Sequence, residues 1–228
     1  MKRSHAEIVR EYSPFPGADR VHGVTYDGQH VWFASGDKLN AFDPSSGKMQ
    51  RSIDVAAHAG TAFDGQHLFQ IAENRIQKID PQSGRVLATV PAPGGGGNSG
   101  RAWAEGTLWV GQYRNRKIDQ VDPETGAILR TIESNRFVTG VSWVDGELWH
   151  ATWEGEESDL TRVDPRQKKS RRRSRCRLVC TFQDSSPMAA ISSSAEEDRP
   201  GRSGRSGGLG DAPRGSNTPK GPISSRNK

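Results

Sequence analysis

Between Gly23 and Pro165 one alternation of apolar and polar positions runs through the chain four times. Each unit opens on a glycine and reaches an aromatic residue three places on: Gly23–Tyr26, Gly60–Phe63, Gly100–Trp103 and Gly140–Trp143. An Asp-Gly or Glu-Gly step follows, and Gly28, Gly65, Gly106 and Gly146 permit the positive φ of a tight hairpin. A second run carries a bulky pair: Val31-Trp32, Leu68-Phe69, Leu108-Trp109 and Leu148-Trp149. A third run ends at Asp43-Pro44, Asp80-Pro81, Asp122-Pro123 and Asp164-Pro165. There Asp bonds its own backbone and Pro fixes φ, so each step reads as a turn. Runs such as 127–132 make a fourth strand. The opening glycines stand 37, 40 and 40 residues apart.

Four short antiparallel strands repeated every forty residues or so predict an all-β fold, a β-propeller with four recognisable blades. The recurring aromatics, Trp32, Phe69, Trp109 and Trp149 in one register and Tyr26, Phe63, Trp103 and Trp143 in another, are expected between blades. His30 and His67 recur within Asp-Gly-Gln-His hairpins and read as structural. The N-terminal strand Ile8–Tyr12 resembles Ile128–Ile132 and is expected to close the last blade, since open sheet edges invite aggregation.

The fourth unit loses its pattern after Pro165. Residues 166–228 carry 15 Lys/Arg and 5 Asp/Glu, a net +10, so the whole-chain +5 hides a body at −5. All six tryptophans lie in the body and both cysteines, Cys176 and Cys180, in the tail. The division expected is a propeller over 1–165 and a basic, low-complexity, disordered tail over 166–228. A reading-frame change is one explanation of the junction. One permitted codon choice for Gln183–Asp198, shifted by two bases, yields Gly-Leu-x-x-Asp-Gly-Gly-x-x-Phe-Phe, another blade opening. The ancestral ring would then have five blades. The rival reading takes Lys168–Arg177 as a native segment contacting phosphates, the only ground for a nucleic-acid partner.

Hydrophobic residues make up only 32% of the chain, and no apolar run is long enough to cross a membrane as a helix. The first residues lack a signal-like apolar core, which gives a cytoplasmic expectation. The body has no cysteine and no His-x-x-x-His, so no metal site and no cofactor are expected. Pro91–Gly100 is glycine-rich but lacks the lysine and helix of a phosphate cradle.

Leu148-Trp-His-Ala-Thr-Trp153, together with Phe69-Gln70 and Val21-His22-Gly23, resembles the plant-type and bacterial glutamine cyclotransferases (glutaminyl-peptide cyclases). The resemblance spans roughly Val21 to Pro165. It implies a five-bladed propeller that converts N-terminal glutamine to pyroglutamate by acyl transfer with release of ammonia. His22 stands where the family has Gln, and no acid lies in Val31–Gly36, where the family has one. That carboxylate is expected to handle the proton transfer, so impaired activity is expected. A weaker similarity, at Leu108–Ile118, is to virginiamycin B lyase-like propellers, which would imply a metal-dependent lyase or lactonase. A non-catalytic ligand- or protein-binding propeller is the third alternative.

Propellers bind ligands at the mouth of the central channel. His22 and His58 precede opening glycines, as Asn98 and Thr139 do, and form a candidate polar ring. Tyr113 and Trp153 break the repeat, and Gln70 and Gln112 lie in or at the end of second strands. These six (His22, His58, Gln70, Gln112, Tyr113 and Trp153) are the candidate substrate-binding residues. Glu73, His150 and Glu154 are the candidate catalytic residues, because a carboxylate and an imidazole at one end of the blades can serve as base and acid. A small molecule or a peptide is the expected partner.

Overall fold

The computed structural model describes Arg10–Tyr12, Phe15–Gly155 and Glu157–Pro165 in full, and the backbone of three further short strands. Every described element lies within residues 1–193; residues 194–228 form a second unit outside the described residues. The expected disorder of the tail therefore falls mostly outside the described residues.

The strands in chain order are β1 (Arg3–Ser4), β2 (Arg10–Tyr12), β3 (Gly23–Tyr26), β4 (Val31–Ser35), β5 (Lys38–Phe42) and β6 (Met49–Asp54). They continue with β7 (Thr61–Phe63), β8 (Leu68–Ala72), β9 (Arg75–Ile79) and β10 (Val86–Pro91). After a short 3-10 turn at Pro93–Gly95 come β11 (Asn98–Ala104), β12 (Thr107–Gln112), β13 (Lys117–Val121) and β14 (Ile128–Glu133). The last are β15 (Phe137–Val144), β16 (Glu147–Glu154), β17 (Glu157–Val163), β18 (Arg175–Cys176) and β19 (Met188–Ala190). β3–β6, β7–β10 and β11–β14 are four-stranded antiparallel meanders, and β15–β17 is a three-stranded one. These are the four blades of the propeller.

Alternation gives each blade two apolar faces. The forward faces of the first three blades bury Trp32 and Leu39, Phe69 and Ile76, and Trp109 and Ile118. Each meets the backward face of the next blade, which supplies Leu68 and Ile79, then Leu108 and Val121, then Leu148 and Val163. Trp103 stacks on Phe69 with centroids 5.3 Å apart, and Trp143 on Trp109 at 6.3 Å. Burying such side chains stabilises each interface by roughly 1.5–3 kcal/mol per residue.

The opening glycines explain themselves in this packing. A Cβ on Gly23 would lie 2.5 Å from Gly60 Cα, one on Gly60 2.8 Å from the carbonyl carbon of Gly100, and one on Gly100 2.6 Å from that of Gly140. Innermost strands thus meet backbone on backbone, and only glycine fits. Among the described residues the ladder stops at Gly140, where a Cβ would meet Ala151 Cβ at 3.4 Å.

The N-terminal strand departs from expectation in its partner. β2 is not the fourth strand of the β15–β17 sheet; it pairs antiparallel with β19, Met188 opposite Tyr12. Its position nevertheless matches an outer strand one blade further round. Arg10 donates to the Ser45 carbonyl as Arg51 of β6 donates to that of Gln82. A Cβ on the turn residue Gly47 would face Tyr12 at 3.8 Å, as one on Gly84 would face Ile53 at 3.0 Å. Tyr12 and Phe15 cover Phe33 and Phe42 on the backward face of the first blade. β2 therefore stands where the outer strand of a blade preceding the first would stand.

Candidate functional site

The loops that lead into each innermost strand and the turns after each second strand lie at one end of the blades. Asn98 opposite Gln112 in β11–β12 fixes this for the third blade. His22 and His58 occupy two such entry loops and are exposed. The His22 amide donates to the Ala34 carbonyl at 2.9 Å, and the His58 amide to that of Ile71 at 3.2 Å. Partial burial first, then His58 and Arg20, hold the His22 pKa below its usual 6.5. His58 Nε2 lies 3.6 Å from Asp37 Oδ1.

Gln70 and Gln112 are fully buried and hold this end together from beneath. Gln70 Nε2 donates to the carbonyls of Ala59 (3.0 Å) and Ile71 (2.9 Å), pinning the loop that carries His58. Gln112 Nε2 donates to the Pro93 carbonyl and to Asn98 Oδ1, at 2.9 and 2.7 Å, and its Oε1 accepts from Asn115. Both amides face backbone or buried side chains, so they act by positioning loops.

Tyr113 and Glu154 belong to a second cluster, between the third and fourth blades. Tyr113 stacks on Phe137 at 4.9 Å, and the Arg116 guanidinium covers the other ring at 4.3 Å. Arg116 also meets Glu154 at 3.1 Å, and Arg136 reaches Glu154, Glu157 and Asp159. The hydrogen bond to Glu157, followed by the charges of Asp159, Glu157 and Glu154, raises the Arg136 pKa against its burial. With two guanidiniums on it, Glu154 is suited to hold charge in place. Trp153 beside it is 44% exposed.

The three candidate catalytic residues are not assembled as one set. Glu73 sits at φ 56° in the β8–β9 turn, exposed, with Arg75 at 3.9 Å. It is on the second blade, whereas His150 and Glu154 are on the fourth. His150 is buried opposite Val141 and Thr161. It lies four residues from Glu154 along β16, roughly 13 Å at the rise of a strand. Among the described residues no hydrogen bond or ion pair joins these three to one another.

Arg101 carried no sequence signal of function. It follows Gly100 on β11 and faces the second blade on the same side as Val110, its cross-strand partner. The side chain is 3% exposed, and among the described residues its three nitrogens have no hydrogen-bond partner. Burial alone lowers its pKa to about 9. Among the described residues no group of three or more His, Cys, Asp or Glu is placed to hold a metal ion.

No protein-family model matches the chain. No curated protein sequence matches it either. Solved structures do match. The glutaminyl cyclase of Myxococcus xanthus superposes with a TM-score of 0.61 at 16% identity, over 74% of this chain and 75% of that one. A protein of unknown function from Bacteroides caccae gives 0.54 at 16% identity, over 74% and 65%. The hydrazine synthase of Kuenenia stuttgartiensis gives 0.52 at 16% identity, over 76% and 53%. At these identities the likeness concerns the fold, and the fold of this chain is a four-bladed β-propeller similar to that of glutaminyl cyclase.

Proposed function

We propose that this chain is a glutaminyl-cyclase-like propeller that handles an N-terminal glutaminyl peptide at the end carrying His22 and His58. The single observation supporting this reading is the superposition on a glutaminyl cyclase over three-quarters of both chains. In the reaction the α-amine nitrogen attacks the side-chain amide carbon, the bond to the amide nitrogen breaks, and ammonia leaves. One proton must leave the attacking nitrogen and one must reach the departing nitrogen. An imidazole held below its usual pKa is neutral at pH 7 and can accept the first. His22 has that property, with His58 beside it as the second proton carrier.

Activity in this chain is expected to be impaired, because among the described residues no further blade stands between the fourth and the first. We attribute the opening to a frame change near the Arg166 codon, with residues 166–228 as out-of-frame sequence. The nucleotide sequence across codons 160–185 tests this: a single-base change there restores a fifth blade, or the origin proposed is wrong. The activity is tested with a glutaminyl peptide and a coupled ammonia assay. Weak release above the uncatalysed rate is expected, falling to that rate in His22→Ala. No release, or release indifferent to His22, overturns the assignment.

A further inference from the structure

We propose that the face of the third blade that meets the second holds a site for a small carboxylate, with Arg101 as the cation that takes it and Asn98 as a second donor. The site stands apart from glutaminyl cyclisation, since its occupancy is measured without turnover.

The strand register places the two side chains on one face. Asn98 is opposite Gln112 and Arg101 opposite Val110, and cross-strand partners share a face of the sheet. Gln112 and Val110 are two apart on β12, so they share that face as well. The pairing shifts between Asn98 and Arg101, where β11 sets one residue more than β12. Without that bulge, a spacing of three would send the two side chains to opposite faces. Asn98 Oδ1 accepts from Gln112, whereas Asn98 Nδ2 is buried and among the described residues has no acceptor. All three Arg101 nitrogens are in the same condition, on a residue only 3% exposed.

The fold does not ask for a cation at this position. Val24, Thr61 and Val141 follow the opening glycines of the other blades, where Arg101 follows Gly100. Val110, across the strand pair from Arg101, belongs to an apolar cluster with Ala59, Ile71 and Ala92. Burial lowers the Arg101 pKa to about 9, which leaves the guanidinium charged at pH 7. A buried charge beside such a cluster is strongly unfavourable until a counter-charge meets it.

The unmet groups state the chemistry of the ligand. All of them are donors, so the ligand supplies acceptors, and one positive charge calls for one negative. A guanidinium offers paired N–H groups that fit both oxygens of a carboxylate, and Asn98 adds a neutral donor. The ligand is small, because the blades meet here backbone on backbone: a Cβ on Gly60 would lie 2.8 Å from the Arg101 amide nitrogen. Asn98 is partly exposed and stands at the end of the blades that carries His22 and His58, which gives the carboxylate its way in.

The test uses the full chain at pH 7 and fixed ionic strength, with formate replacing chloride. Formate is expected to raise the thermal midpoint by about 4 °C at saturation, and Arg101→Met to abolish that rise. Arg101→Lys returns the charge but not the fork, and is expected to keep less than about half of it. An unshifted parent, or an equal shift in Arg101→Met, overturns the proposal. Should Arg101→Met not fold, Asn98→Ala takes its place. A half-saturating formate concentration at least about threefold higher then supports the proposal, and an unchanged one overturns it. Triglycine and triglycine amide, set against formate, distinguish two sources of the carboxylate. Competition by the acid alone identifies a peptide terminus, and competition by neither confines the site to free monocarboxylates. Competition by both overturns the carboxylate assignment.

Discussion

Gly100 lies so close to Gly140 that a methyl group on the first would stand 2.6 Å from the carbonyl carbon of the second. This contact joins the innermost strands of two blades with no side chain between them. It recurs between Gly60 and Gly100 and between Gly23 and Gly60. Gly60→Ala and Gly100→Ala must therefore push blades apart, each costing about 3 kcal/mol or more through overpacking. Urea titration should show both variants unfolding well below the parent chain. Equal midpoints would mean that the blades are not in backbone contact.

Arg101 is expected to weaken the fold that contains it. A buried guanidinium without an acceptor bears an uncompensated desolvation cost, and a well-packed apolar replacement removes it. Arg101→Met is expected to stabilise the protein by about 2 kcal/mol. The pH dependence has a defined sign. Its folded pKa of about 9 lies well below the ordinary value of arginine, so above pH 9 the unfolded chain holds a proton that the folded one has released. Stability from this site rises as pH climbs through that window, and the rise is absent in Arg101→Met. Calorimetry of both proteins from pH 8 to 11 checks it.

His22 should titrate below 6.5, with burial as the largest cause and His58 as the next. Its folded pKa is depressed, so the site loses stability as pH falls below 6.5, where the unfolded imidazole takes up a proton first. His58→Ala should move the His22 midpoint upward but leave it short of 6.5, since the burial remains. Imidazole proton shifts followed by NMR against pH measure both. An unchanged midpoint would separate the two histidines.

Arg136 faces Asp159 at 3.1 Å, and the Asp159 side chain is nearly enclosed. Taking the guanidinium away strips that carboxylate of a charge partner. Arg136→Ala is expected to cost about 3 kcal/mol. Arg136→Lys should recover part of it, because charge returns but the fork does not. Denaturant midpoints distinguish this from a solvated surface pair, for which both variants would lie within about 1 kcal/mol of the parent.

The turns at Asp43, Asp80 and Asp122 are expected to fail first in acid. Bonds from Ser45 and Ser46 bring the Asp43 carboxyl down to about 2, those from Ser83 and Gln82 lower Asp80, and those from Thr125 and Glu124 lower Asp122. These depressed values stabilise the fold above the ordinary carboxyl pKa of 3.8, and the contribution is lost as pH falls toward 2. An acid titration by circular dichroism should show Asp80→Asn less sensitive to pH over that range.

The blades were legible because each needs the same local chemistry: glycine where backbones meet, Asp-Pro where the third strand turns, and a bulky pair between sheets. The place of β2 was legible from the likeness of Ile8–Tyr12 to Ile128–Ile132. Its partner was not, because Met188–Ala190 carries no repeat pattern. The approach of His22 to His58 followed from their common place before opening glycines. The Arg116–Glu154–Arg136 network did not, since its members come from separate turns whose meeting depends on how blades stack. The sequence alone suggests that Gln70 and Gln112 face a ligand. Their Nε2 groups donate to loop atoms, and their burial is legible only in the structure.

Hydrogen exchange along the third strand of each blade tests the open ring most directly. β5, β9 and β13 are each hydrogen-bonded to two strands, whereas β17 is hydrogen-bonded only to β16 among the described strands. Its alternate amides therefore lack a ladder partner. Glu157–Val163 is expected to exchange at least about tenfold faster than Lys117–Val121. Equal protection of the two segments would show the fourth blade to be complete and would contradict an open ring.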